Sequence, residues 1–506
     1  MKNWGQQLSQ NAVWGVIRVA VLLPFGFFIP PYVIKKIGMD QFSIWALVGA
    51  FTSYLGVVDM GLGYALTVFV AKNRDKNDSV SANDFIGTSL TIFTVLGLIL
   101  LFLIWVLRKY IAKSFFNVSY EQQVLVAPLL MLTCCIFVFN LIFSTFNSVV
   151  NGCQRMDLTN KISILFGLFN AVTVIIALRC GFGLMGLVLA TSVASFVSAG
   201  ASIYLAYRVY PGLHIGFGTF KMAAFKNMFA LSFYIQSAII AGLVMIQTNK
   251  AILGYFLPIA AVGLFELASR VSDSLRQVPL AILAPIMSAA PELHSKGDHK
   301  SIETMYGRSM KYLNVICLPM YVFLFVFAQR FVTAWVGPDH SQVALALRYL
   351  LVANYGNVLT GGQYYILNGI GKASYGLHTV LIAIPISLAG GLVFTKYWGF
   401  EGMLVAISAA YLIPVVYYVW VFYKETRFNF VNTFIDSIKW SLLGSAVLAL
   451  AIRYLFSALF EAMKLYHVFA AGLLFVVLYG SFVWLTKGIM DPDEKGYLFQ
   501  KIKQVF

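Results

Sequence analysis

Fourteen apolar stretches of about twenty residues or more run from one end of this chain to the other, and nothing else in it limits the fold so tightly. About 20 helical residues cross some 30 Å of hydrocarbon, and inside that layer each segment must satisfy its own backbone hydrogen bonds. The stretches therefore read as membrane-spanning helices, at approximately 13–33, 42–70, 85–107, 123–150, 160–180, 183–207, 228–256, 259–290, 310–334, 342–369, 375–396, 400–423, 438–460 and 466–486. With 60% hydrophobic and only 11% charged residues, 506 residues cannot cover a water-soluble particle with polar surface. The expected class is an all-α integral membrane protein. Arg18 interrupts the first stretch and no small-residue cleavage site follows, so this stretch is expected to stay as a span and not to serve as a secretory signal.

The cations orient the spans. With the amino terminus placed in the cytoplasm, 21 of the 36 Lys and Arg fall in inner segments and 9 in outer ones, which predicts cytoplasmic termini. The net charge of +16 is spread along these edges with no soluble basic domain, so it points to membrane lipids as partners and away from nucleic acid. Five cysteines show no metal spacing and read as small buried hydrophobes, and the six histidines are dispersed near span ends and loops.

The chain also repeats itself. Asn151-Gly152 followed by Arg155 matches Asn368-Gly369 followed by Lys372, and Asn140 maps to Asn357, all 217 residues apart. Downstream, Gly183, Gly186 and Ala190 align with Gly399, Gly402 and Ala406 at an offset of 216. Six spans separate the copies, an even number, so both run the same way through the membrane as parallel repeats. The expected organisation is an N-lobe over 1–208, a cytoplasmic linker over 209–227, a C-lobe over 228–424, and two further helices with a cytoplasmic tail over 425–506.

Charges inside spans are the functional signal, since each costs roughly 2.5 to 3.5 kcal/mol at the bilayer centre unless it faces a bundle interior or water. Glu266, Arg270, Asp273 and Gln277 fall within about 60° on one helix face. Setting aside the residues assigned to span edges and loops, six cations lie within spans, opposed there by Asp59, Glu266 and Asp273. Arg348 and Arg453, about two turns from span ends, read as snorkelling side chains. Arg18, Lys250, Arg270 and Arg276 are the candidates for an anion-attracting cavity, with snorkelling as the alternative for Lys250. Gln236, Gln247 and Lys250 share a face of the seventh span. Asp59 has three readings: a proton or cation site, a partner for Arg18, or a satisfied helix-end carboxylate.

Polar rows add to this. Asn140, Ser144, Asn147 and Asn151 share one face of span four, and the second copy has Asn357, Gly361, Tyr364 and Asn368 in span ten. Singly, such groups hold helices together at roughly 0.6 kcal/mol per bond. As two symmetry-related stripes they suit a wet cavity and a hydroxyl-rich ligand, which must replace many lost water hydrogen bonds on entry.

The run 37–72, with Gly38, Phe42, Trp45, Asp59, Gly61, Leu62 and Gly63, resembles the amino-terminal signature of the polysaccharide flippases of the multidrug/oligosaccharidyl-lipid/polysaccharide (MOP) exporter superfamily. Ser43 stands where that family usually has glycine. The later NGxxR/K and GxxG steps, and the run 284–298 before span nine, extend the resemblance to about residue 424. It implies a MOP-type fold of fourteen transmembrane helices in which two six-helix lobes are followed by two extra helices. It further implies an inner-membrane flippase of bacteria that moves an undecaprenyl-pyrophosphate-linked oligosaccharide to the outer leaflet by alternating access, in concert with polysaccharide assembly machinery. On that reading Arg18, Lys250, Arg270 and Arg276 attract pyrophosphate, while Asn140, Asn147, Asn357 and Tyr364 accommodate sugar. Asp59, Glu266 and Asp273 are candidates for coupling to H+ or Na+. No cofactor or metal is expected, and no Walker A motif is present to couple ATP.

Three other readings compete. A drug and toxin extruder of the same superfamily would favour an acidic cavity, against the cationic excess here. A membrane-embedded glycan polymerase or acyltransferase would carry a large outer loop or an intramembrane histidine. A passive channel would need rings of like residues.

Overall fold

A computed structural model describes residues 4–75, 79–114, 120–214, 220–283, 286, 290, 293–294, 296–372, 374–428, 430–460 and 464–486. Most of the 284–298 run, Lys2, Lys76 and the tail cations from Lys487 onward lie outside the described residues, as does the side chain of Gln236. All regular structure among the described residues is helical, and the described residues of the fourteen expected spans fall mainly on helix. Ten stretches are long and apolar enough to cross a membrane by length and composition, and two of these, at 47 and 53 residues, are long enough for two crossings each. The protein is a multi-pass membrane protein.

The chain forms two compact units, Met1–Gly263 and Leu264–Phe506. In the first unit, α1 (Trp4–Leu55) carries span one and the first part of span two on either side of a kink at Gly38, where φ is 83°. Glycine takes this angle without the Cβ clash that other residues pay. Span two then breaks: a 3-10 turn, Gly56–Asp59, and left-handed Met60 and Gly61 precede α2 (Leu62–Asp75). Next come α3 (Ser79–Ser114), α4 (Tyr120–Gly152), α5 (Met156–Arg179), α6 (Gly183–Val209) and α7 (Met222–Phe256). Leu62, Leu66 and Val70 of α2 pack with Ile86 and Phe93 of α3, and with Phe146 and Val149 of α4. The opposite face of α3, Val95, Leu98, Phe102 and Val106, is exposed, as a lipid-facing surface would be. Helix α7 packs on α1, α2 and α3. Part of the linker is tied down: Asn83 Nδ2 donates to Gly212 O at 2.8 Å, and Lys221 Nζ pairs with Asp84 at 2.5 Å.

Helix α8 (Ala260–Leu283) starts at the end of the first unit and continues into the second. There follow α9 (His299–Tyr312), a π-turn at Leu313–Cys317, α10 (Leu318–Val336), α11 (Ser341–Leu359), α12 (Gly361–Gly369), α13 (Ser374–Thr426), α14 (Phe430–Leu459) and α15 (Leu465–Leu485). Helix α13 holds spans eleven and twelve, kinked at Gly399 with φ 60°. The two extra helices, α14 and α15, pack on each other and on α10. The π-turn places buried Asn314 so that its Nδ2 donates to Ser437 Oγ of α14 at 2.6 Å, while its Oδ1 accepts from Tyr355 OH of α11.

The duplication is visible in backbone geometry. In the first copy Arg155 N donates to Val150 O and Gln154 N to Asn151 O; in the second Lys372 N donates to Leu367 O and Gly371 N to Asn368 O. The residue with positive φ is Gln154 (59°) in one and Gly371 (80°) in the other, 217 positions apart. Gly183 and Gly399, aligned at offset 216, have φ of 56° and 60°. The next aligned pair shares a steric role. A Cβ on Gly186 would meet Phe182 Cβ at 2.6 Å, and one on Gly402 would meet Phe394 O at 2.0 Å. A glycine near the start of each returning helix thus admits a close approach in both copies.

Candidate functional site

Span ten breaks where the second unit opens a cavity. Helix α11 ends at Leu359; Thr360 N and Oγ1 both donate back to Asn357 O, at 3.2 and 2.8 Å, and α12 starts at Gly361. The glycine beside this step admits the Leu283 side chain, since a Cβ on Gly361 would come within 2.5 Å of Leu283 Cδ1. The break leaves Asn357 and Tyr364 on one wall of a cavity of about 390 Å³, with Arg276 of α8 facing them and Tyr411 and Tyr418 of α13 closing it. That volume lies within the range of small-ligand sites.

Arg276 Nη2 donates to Asn357 Oδ1 at 3.1 Å, which fixes the guanidinium and leaves its other donors for a ligand. Arg276 also lies close enough to Tyr411 and Tyr321 for its charge to act on both, as does Asp273. Tyr418 OH is buried on the cavity side and has no hydrogen-bond partner among the described residues. A lone buried hydroxyl costs roughly 1 to 3 kcal/mol, so an occupant able to bond it is favoured. Chemically the cavity offers one fixed cation, one amide and several phenols, a set suited to an anion joined to a polyhydroxylated body.

Arg276, Asn357 and Tyr364 are therefore brought together, and the other expected site residues have the following surroundings. Arg270 Nε donates to Glu266 Oε1 at 2.7 Å one helical turn away, so these two members of the α8 stripe neutralise each other, and Asp273 is exposed. Asn140 Nδ2 donates to Ser195 Oγ at 3.3 Å, and Asn147 Oδ1 accepts from Ser202 Oγ at 2.9 Å. Both tie α4 to α6. Asp59 Oδ1 accepts from Gly63 N at 3.4 Å, the geometry of a carboxylate at a helix start. Lys250 is buried near the end of α7, and Arg18 is exposed on α1. Sequence reasoning missed Tyr365, Thr379, Tyr411 and Tyr418, which also line the cavity. Tyr411 and Tyr418 sit seven apart, on one helical face around Pro414, and that spacing was the available signal.

An all-helical multi-pass chain with a broken span against a polar cavity and two appended helices has the MOP-type fold. The fold is shared with the lipid II flippase MurJ in an inward closed conformation, at TM-score 0.73 and 13% identity over 93% of this chain and 97% of that one. It is also shared with an inward-facing multidrug resistance MATE family transporter of the MOP superfamily, at TM-score 0.67 and 16% identity over 83% and 98% of the two chains.

Within that class the chain belongs to the polysaccharide biosynthesis protein family, whose model matches residues 10–291. Among curated relatives, a putative O-antigen transporter of Shigella flexneri is 22% identical over 376 residues, 72% of this chain and 86% of the relative.

Proposed function

We propose that this protein is a flippase of polysaccharide biosynthesis, a transporter and not an enzyme, that carries a lipid-linked oligosaccharide from the cytoplasmic to the outer leaflet of a bacterial inner membrane. The carrier is undecaprenyl pyrophosphate, and both termini of the chain are cytoplasmic. The observation that carries this reading is the Arg276–Asn357 pair on the wall of a tyrosine-lined cavity, in a chain whose family serves polysaccharide biosynthesis. A pyrophosphate leaving water loses strong hydrogen bonds, and a fixed guanidinium replaces them through charge-assisted bonds. Amide and phenol groups serve the sugar hydroxyls, while the polyprenyl chain stays in hydrocarbon.

Arg18, Lys250 and Arg270 serve as further cations for the pyrophosphate, and Asn140 and Asn147 as further polar groups for the sugar. Turnover proceeds by alternating access driven by a proton or sodium gradient or by membrane potential, with Asp59, Glu266 and Asp273 as the coupling carboxylates and the polysaccharide assembly machinery receiving the product.

Reconstituted vesicles test the reading. Fluorescent undecaprenyl-pyrophosphate oligosaccharide should cross the bilayer at a rate set by the imposed gradient, while an organic cation dye should not. Accumulation of the dye with no movement of the glycolipid would overturn it in favour of the extruder.

A further inference from the structure

At the end of the second unit where α10 turns into α11, two arginines from two helices converge on one turn of α10. Arg348 Nε of α11 donates to Phe325 O, and Arg453 Nη1 of α14 donates to Val326 O, the next carbonyl along, each at 3.4 Å. Arg330 follows one turn later on α10. The Arg348 guanidinium also stacks over Phe325, 5.9 Å from the ring centre.

All three lie at one depth. Arg330 and Arg453 are six residues inside the ends of their helices and Arg348 seven, about 9 to 10 Å at 1.5 Å per residue. As lone snorkelling side chains Arg348 and Arg453 would extend to the nearest water. Here both bend onto the backbone of a common neighbour. A carbonyl accepts a hydrogen bond without cancelling a charge, and each guanidinium has five donors, so Arg348 and Arg453 keep four apiece for an anion. The surround is apolar and open: Phe325, Val352, Tyr454 and Leu455 are all strongly exposed. A free ion would leave those residues bare, whereas a membrane lipid brings a phosphate at headgroup level together with acyl chains to cover them.

We propose that Arg348 and Arg453 form a binding site for the phosphate of an anionic membrane lipid, whose chains lie against Phe325, Val352 and Leu455 on the outside of the second unit. The site is separate from the Arg276 cavity and independent of what the protein transports. Its role is to anchor α14 to α10 and α11 through a shared counter-ion.

Native mass spectrometry of the full chain, presented with phosphatidylglycerol, with diacylglycerol of the same chains, and with inorganic phosphate, separates the sources. Wild type should retain phosphatidylglycerol, the Arg348→Gln/Arg453→Gln double variant should bind it at least about tenfold more weakly, and Arg108→Gln, a cation on the exposed end of α3, should change nothing. Arg348→Lys/Arg453→Lys should keep an intermediate affinity, because a point charge replaces the planar fork, and it serves as the readout where the glutamine variant does not fold. Equal phosphatidylglycerol retention in wild type and in the glutamine variant, equal retention of diacylglycerol, or displacement of the lipid by inorganic phosphate would each overturn the proposal.

Discussion

Arg276 Nη2 and Asn357 Oδ1 are joined at 3.1 Å across 81 residues of sequence, so a charge on α8 is held by an amide on the last turn before span ten breaks. The amide neutralises nothing, which keeps a fixed cation on the wall of a cavity. Asn357→Asp should therefore damage transport by cancelling that charge while preserving the bond. We expect a rate at least about tenfold lower, from the loss of roughly 1.5 to 3 kcal/mol of charge-assisted binding, with unchanged thermal stability. Transport rate and melting temperature of the same preparation check this.

Glu266 and Arg270 make a partly buried i,i+4 pair, with the Arg270 side chain 34% exposed and that of Glu266 11%. Glu266→Gln should lower stability by roughly 1 to 3 kcal/mol, discounted for the exposure of the arginine, by leaving Arg270 without its counter-charge. Glu266→Gln/Arg270→Gln should recover most of that loss. Melting curves of the two single variants and the double one measure the coupling.

Ser43 is buried, and the structure shows what receives its hydroxyl. Ser43 Oγ donates to Met39 O at 2.7 Å, and a Cβ on Gly263 would fall 2.2 Å from it. Gly263→Ala should destabilise by about 1 to 3 kcal/mol through overpacking, and Ser43→Gly should relieve part of the loss in the double variant. Thermal unfolding of the four proteins of the cycle decides it.

Much of this was legible in the sequence. Spans were, because length and apolarity follow directly from the bilayer, and the repeat was, because turns demanding left-handed backbone or close approach retain glycine, as at Gly183 and Gly399. The step at Thr360 and the π-turn at Leu313–Cys317 were not, since apolar periodicity runs through both. The asparagine rows showed only half of their chemistry. Asn140 and Asn147 find Ser195 and Ser202, each 55 residues on, and only the packing of α4 on α6 creates those pairs. Arg276, Asn357 and Tyr364 were each visible as polar groups at depth, but their convergence needed the fold.

Equivalent turns should respond oppositely to substitution. Gln154 carries φ 59° with a Cβ, whereas Gly371 carries φ 80° without one. Gln154→Gly should stabilise by up to about 1 kcal/mol and Gly371→Gln should destabilise by about 1 to 2 kcal/mol, the ordinary cost of left-handed backbone. Paired melting temperatures give both signs.

Orientation has a chemical test in Cys180, a free and exposed thiol at the end of α5, on the face expected to be external; Cys134, Cys153 and Cys317 are buried. A membrane-impermeant maleimide applied to intact cells should label the protein, and Cys180→Ser should abolish the labelling. Labelling only after lysis would reverse the topology.

The most direct measurement is the flipping rate of a fluorescent undecaprenyl-pyrophosphate oligosaccharide in vesicles holding wild type, Arg276→Lys or Arg276→Ala at equal protein content. The guanidinium at Asn357 predicts rates in that descending order, with Arg276→Ala at the level of empty vesicles and all three proteins equally folded. Wild-type flipping by Arg276→Ala would contradict the account.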